Sequence, residues 1–363
     1  MREAFLRASR GKQARADVRE FAADWQVRLE SLRTRLLAEA WGPGGFTRFI
    51  IHEPKERTIH APCFEDRVVH HALVDSAMAD FERWLVPDTF ACRKGKGHAA
   101  AVRRAEFHAR RNPWFLKLDV RKYFDSIPHE VLLLALDRRF RNGGVQRLWR
   151  RIVGGYEASP GRGIPIGSLT SQMLGNFYLM PVDRLCLEAV GVRGYVRYMD
   201  DMALWAEKDL LLRAKEAVDE GLARLKLELK GNWHVQPTYR GMEFLGLRIH
   251  PDGSQLTVRS RRRLAKKWQL GQARWESGEL SDAAWQRSLS ALISRVHLAR
   301  REKTFGRLRK EPGSAAIGPQ PREPRGQLEQ RRQERALGQP EQERPGQPEQ
   351  QPKLPPRPQL TPE

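Results

Sequence analysis

The sequence predicts an α+β chain built on a ferredoxin-like sheet, and three features carry that prediction. The first is a tight hairpin in which two apolar runs, Gly194-Tyr-Val-Arg-Tyr198 and Met202-Ala-Leu-Trp-Ala206, flank Met199-Asp200-Asp201. The second is Phe115-Leu-Lys-Leu-Asp119, another apolar strand that ends in a single aspartate. The third is the order of periodicities from there on: strand, helix, strand pair, helix, strand, as in a split βαβ unit. Side chains on strands alternate faces, so the hairpin can point Asp200 into a cleft whose floor is shaped by Tyr198 and Met199. Two vicinal acids on a turn are, alone, an ordinary solvated loop. Two strands ending side by side in carboxylates suit Mg²⁺, and a pair of such ions about 3.5–4 Å apart carries phosphoryl transfer.

At 363 residues and 40% hydrophobic, the chain can bury a sizeable core in one multi-part domain or two. Its formal net charge of +21 points to a polyanionic partner, because neutralised phosphates release condensed counterions. No apolar run reaches transmembrane length and the N-terminus is charged throughout, so a cytoplasmic location without a membrane partner is expected. Cys63, Cys92 and Cys186 are far apart with no paired spacing; neither a disulfide framework nor a zinc knuckle is indicated, and buried thiols are expected.

Residues 1–45 carry helical periodicity through Phe21, Trp25, Leu29, Leu32 and Leu36, which predicts an amphipathic helix with an Arg-rich outer face. Alternation in Phe46–His52 and Arg57–His60 predicts a hairpin with Glu53-Pro-Lys-Glu56 as its turn. Lys55 and Arg57 there are either an ordinary solvated tip or two cations able to grip a triphosphate. Val69, Leu73, Ala77, Phe81 and Leu85 mark a helix in which His70 and His71 are packing or surface residues. Arg93-Lys-Gly-Lys-Gly97 is a basic loop whose backbone N–H groups suit phosphate, although the motif alone is weak. Pro128 is placed at the start of a helix over 129–140.

Gly161–Gln172 is a glycine-rich loop that feeds a helix through Met173, Leu174, Phe177 and Tyr178, and such a loop lets backbone approach a ligand. A strong amphipathic helix follows over 207–227, then a turn at Lys230 and short strands around Val235 and over 242–249. Residues 251–310 are helical and basic, with Arg259-Ser-Arg-Arg-Arg263 and Trp268, Trp275 and Trp285 interleaved, a pattern that suits a bundle lying along a nucleic-acid duplex. The segment 311–363 is rich in Pro, Gln and Glu and holds no aromatic residue, so disorder is expected.

In that order the motifs resemble those of reverse transcriptases, RNA-directed DNA polymerases, over Phe46 to Ile249. The resemblance implies a right-hand polymerase architecture: fingers and a ferredoxin-like palm over 46–250, and a helical thumb over 251–310. It implies that Lys55 and Arg57 hold the incoming deoxynucleoside triphosphate and that Asp119, Asp200 and Asp201 are the catalytic carboxylates. Asp119 and Asp200 would share two Mg²⁺ ions, with Mn²⁺ as a substitute, and Asp201 would be a ligand or an orienter. Phe124 matches the aromatic gate under the sugar, Ile166 and Gly167 the loop beneath nucleotide and template, and Phe244-Leu245-Gly246 the primer grip. Lys230 falls where the palm lysine assists pyrophosphate departure, with Lys226 close by. Template RNA and a DNA or RNA primer are the implied partners.

Ile166-Gly167 followed by Ser171-Gln172, and Arg93-Lys-Gly-Lys-Gly97 after Phe90-Ala-Cys92, are similar to the reverse transcriptases of diversity-generating retroelements. That family copies its RNA with errors opposite adenine and works with a small basic accessory protein. Ile166 in place of Gln removes a polar contact to sugar or template, which agrees with low fidelity. The rival readings are a retron, abortive-infection or other bacterial reverse transcriptase, and, from another class, a non-catalytic RNA-binding protein on a polymerase scaffold.

Overall fold

The computed structural model describes residues 1–52 and 56–299. Lys55, the end of the 251–310 segment and the tail expected at 311–363 lie outside the described residues.

Three short helices open the chain, α1 (Arg2–Ser9), α2 (Ala16–Ala23) and α3 (Trp25–Leu37), where the periodicity predicts one. The break falls at Asp24, whose φ of −133° leaves the helical basin although the apolar spacing runs on across it. Phe21 on α2 packs edge-on against Phe64, with Phe5 of α1 stacked on Phe21, so the extension is fixed by an aromatic cluster. The hairpin β1 (Phe46–Ile51) and β2 (Arg57–Pro62) pairs antiparallel, with Phe46 opposite Pro62. Two helices follow, α4 (Phe64–Trp84) and α5 (His98–Ala109).

Next come β3 (Trp114–Asp119), α6 (Tyr123–Ser126), α7 (His129–Asp137), α8 (Gly143–Gly154), α9 (Leu169–Tyr178) and α10 (Met180–Arg184). The strand pair β4 (Gly194–Tyr198) and β5 (Asp201–Ala206) leads to α11 (Lys208–Arg224) and β6 (His234–Pro237). These strands form one antiparallel sheet in the order β4-β5-β3-β6, the arrangement of a split βαβ unit. Both faces are covered, so the alternation of β3 and β5 divides between two cores. Leu116, Leu118, Met202 and Leu204 join the core that includes α9 and α11. Phe115, Val196, Ala203 and Trp205 join the core beneath α5.

A separate antiparallel sheet holds β7 (Met242–Phe244), β8 (Leu247–His250) and β9 (Gly253–Leu256). The helices α12 (Val258–Glu276) and α13 (Asp282–His297) close the described chain. Their tryptophans gather around one of their number. Trp268 and Trp275 pack on Trp285, at ring separations of 5.8 and 6.5 Å. A Cβ on Gly271 would lie 2.4 Å from the Trp285 ring, so that glycine is what admits it. The thiols also depart from expectation: Cys186 is buried, but Cys63 is half-buried and Cys92 exposed.

Candidate active site

Pairing of β3 with β5 sets Asp119 directly opposite Asp201. The turn between β4 and β5 consists of Met199 and Asp200, and Met199 sits at φ +59°, a left-handed conformation that costs a non-glycine residue about 1 kcal/mol or more. A buried network braces it. Arg197 donates to the Met199 carbonyl at 3.0 Å, to the Asn176 carbonyl at 3.0 Å and to both oxygens of Asp183 at 2.6 Å. Tyr195 donates its hydroxyl to the same Asp183 at 2.6 Å, and neither Asp183 nor Arg197 is exposed at all.

Burial, and then the neighbouring Asp119 charge, push the Asp200 carboxyl up to about 6. Burial raises Asp201 as well, against the pull of Lys117 and Lys230. Lys230 forms an ion pair with Asp119 and donates its backbone N–H to the Asp119 carbonyl at 2.8 Å. Lys226, by contrast, faces Glu130 at 3.2 Å. Lys117 Nζ lies 3.2 Å from Asp201 Oδ1, though its hydrogen bond goes to Oδ2 at 3.3 Å.

The donor set fits a hard divalent cation. Asp119 Oδ1 and Asp201 Oδ1 are buried oxygens that accept no hydrogen bond, and a third carboxyl stands beside them. Among the described residues no group of three His, Cys, Asp or Glu side chains is already gathered closely enough to hold a metal ion. Instead the two lysines balance the carboxylate charge.

Phe124, on α6, comes against the same turn: a Cβ on Gly175 would touch Met199 Sδ at 3.1 Å and Phe124 Cζ at 3.5 Å. The Phe124 carbonyl accepts from Ile164 N at 2.9 Å, which ties the glycine loop to α6. That loop also meets β2, since His60 N donates to the Ile166 carbonyl at 2.8 Å. Gly167, at φ +116°, leaves so little room that a Cβ would fall 2.6 Å from Ile59 Cγ2. Ile166 and Gly167 therefore share a unit with Arg57, which is exposed at the start of β2. Leu245 (φ +52°) and Gly246 (φ +81°) turn β7 into β8 after the buried Phe244, and the Leu245 carbonyl bonds His98 Nε2 at 2.9 Å.

Much of the basic loop at 93–97 is tied inward, while Lys94 and Gly95 at its tip are exposed. Arg93 binds both oxygens of Glu82 and the Val86 and Thr89 carbonyls, while the N–H groups of Lys96 and Gly97 are spent on Arg93 and Phe90. Lys117, Gly175, Asp183 and Arg197 form part of the site's framework without having stood out in the sequence. For Arg197 the signal is a charge inside an apolar strand; for Lys117 its partner lies 84 residues away, beyond any local pattern.

A four-stranded sheet in this order, with acids at adjoining strand ends, has the form of a right-hand polymerase palm. The family model described as reverse transcriptase (RNA-dependent DNA polymerase) matches residues 52–249, and the chain belongs to that family. It is 24% identical over 148 residues to the COX1/OXI3 intron 2 protein of Saccharomyces cerevisiae, covering 39% of this chain and 16% of that one. It is 25% identical over 171 residues to protein YkfC of Escherichia coli, covering 44% and 45%. The matches thus span less than half the length of these relatives. A telomerase from Candida albicans, solved with a fragment of telomeric RNA, superposes at a TM-score of 0.46 with 12% identity, over 75% of this chain and 57% of that one.

Proposed function

We propose that the chain is an RNA-directed DNA polymerase whose cation site is Asp119, Asp200 and Asp201. The observation that carries this reading is the register that sets Asp119 opposite Asp201, with the Asp200 carboxyl pushed up to about 6 beside them. Mg²⁺, or Mn²⁺ in its place, would supply Lewis acidity toward the primer 3′-hydroxyl and the leaving pyrophosphate. The chain's own groups supply the rest. Arg57 offers a guanidinium fork to the triphosphate, and Phe124 offers an apolar wall to the sugar. Lys230, next to Asp119, is placed to hold or donate a proton near the departing phosphates. The Phe244-Leu245-Gly246 turn presents backbone to the primer end.

Within the family, Ile166-Gly167 and Ser171-Gln172 favour the error-prone type found in diversity-generating retroelements. Ile166 spends its carbonyl on His60 and offers only aliphatic packing from its side chain.

The test is primer extension on a defined RNA template with Mg²⁺ and four deoxynucleotides, repeated with the protein's own RNA and any neighbouring basic protein. Asp200→Asn is expected to lower extension by a factor of about 10³ or more while template binding stays within about twofold. A variant that extends primers like the wild type overturns the cation site. Errors gathered at template adenines support the retroelement type, and accurate or uniformly erroneous product overturns it.

A further inference from the structure

The four-stranded sheet and the β7–β8–β9 sheet share no strand pairing. Phe115, Ala203 and Trp205 pack in one core with Met242, Phe244 and Leu247, and that apolar layer joins them. A charged side chain also bridges the two sheets. Lys117 reaches Asp201 at 3.2 Å on one side and donates to the backbone carbonyl of Glu243 at 2.6 Å on the other, with its ammonium 5.7 Å from the Phe244 ring centre.

Geometry explains why Lys117 occupies this place. It stands two residues before Asp119, so both side chains leave the same face of β3. An ammonium has three donors and no acceptor, and here the carboxylate and the carbonyl take two of them from opposite sides. The carbonyl belongs to Glu243 of β7, with only Phe244 between it and the Leu245-Gly246 turn. A shift of Asp201 therefore pulls on Glu243, and a shift of the turn pulls on Asp201.

We propose that Lys117 is a positioning residue that couples the carboxylate hairpin to the Phe244-Leu245-Gly246 turn, making cation binding at Asp201 and placement of the primer end interdependent. The inference rests on the cation-site reading above. It follows that the two events share a coupling free energy, and each changes the other by the same factor. A carboxylate that shares its charge with a cation holds Lys117 less tightly, which leaves the ammonium to Glu243 and the primer-side turn.

The experiment has two readouts: Mn²⁺ binding to the nucleotide-free protein, followed by electron paramagnetic resonance, and the KM and kcat for primer–template in extension. Lys117→Met removes from beside the carboxylates a positive charge that repels the cation, so Mn²⁺ is expected to bind about threefold to tenfold more tightly. Loss of the bond to Glu243 is expected to raise the primer–template KM roughly fivefold, with a smaller change in kcat. Lys117→Arg keeps the charge and is expected to bind Mn²⁺ within about twofold of wild type. If the Met variant melts below the assay temperature, Lys117→Gln replaces it, with the same expectation for Mn²⁺. A neutral variant that leaves either the Mn²⁺ affinity or the primer–template KM at its wild-type value overturns the coupling. Wild-type protein that takes up no Mn²⁺ overturns the cation site itself, a result separable from failure of Lys117 alone.

Discussion

Asp183 and Arg197 show how buried residues outside a turn can hold that turn in place. Both are wholly enclosed, and Arg197 spends its donors on Asp183, the Met199 carbonyl and the Asn176 carbonyl. Breaking one side of such a pair strands the other charge without water, a loss of about 3–5 kcal/mol. Asp183→Asn is expected to cost about 3 kcal/mol in urea unfolding and to loosen the Met199-Asp200 turn. A wild-type midpoint would mean that the two carbonyls alone satisfy Arg197. Ile166 is the opposite case, a half-buried residue whose side chain, on the reading proposed above, bears on selectivity rather than on the fold. Ile166→Gln is expected to lower misincorporation at template adenines roughly tenfold, read by sequencing the cDNA, with little change in stability.

Among the elements, the glycine loop at 161–167 is held to β2 by a close backbone approach. Gly167→Ala combines a left-handed φ of +116° with a clash at 2.6 Å, so a loss of about 2–3 kcal/mol is expected, together with a higher KM for nucleotide. Gly161→Ala is the control. Its φ of +65° is strained too, but nothing lies within 4 Å, so it is expected to cost only about 1 kcal/mol. Thermal melts of the two variants compare the close approach with strain alone. Elements of this sheet were legible where period-2 runs end in a marked residue, as β3 does at Asp119. Those whose outcome depended on contacts distant in sequence were not. The spacing from Phe21 to Trp25 continues smoothly across a helix break, and the mutual packing of tryptophans interleaved in basic helices leaves no mark on their spacing. The strand β9 was not legible although β6 and β8 are just as short, because its sequence Gly-Ser-Gln-Leu has a single large apolar residue and so no alternation.

For the molecule as a whole, acid stability depends on imidazoles held neutral. Burial, reinforced by Arg104, pushes His108 down to about 4, and burial does the same to His70. Both are near 6.5 in the unfolded chain, so from pH 6.5 to about 4 the unfolded state binds more protons, and stability falls as the pH falls through that window. Asp200 works in the opposite sense: its raised carboxyl gives the folded state the extra proton, so in cation-free buffer its contribution is lost as the pH rises through about 6. His108 lies on the Trp205 ring with its Nε2 buried and unpartnered. His108→Phe is therefore expected to recover roughly 2 kcal/mol at pH 5 relative to its effect at pH 7.5, measured by denaturant unfolding at both values.

The two buried faces of β3 also bear on how this chain can change over generations. Lys117 and Asp119 leave the strand on one side, and Leu116 and Leu118 on the other. Losing or gaining a single codon between Trp114 and Asp119 would exchange the sides, driving an ammonium and a carboxylate into the leucine layer and bringing leucine to the carboxylate hairpin. Exchanging one apolar residue of this strand for another is therefore expected to disturb the chain far less than changing its length by one residue.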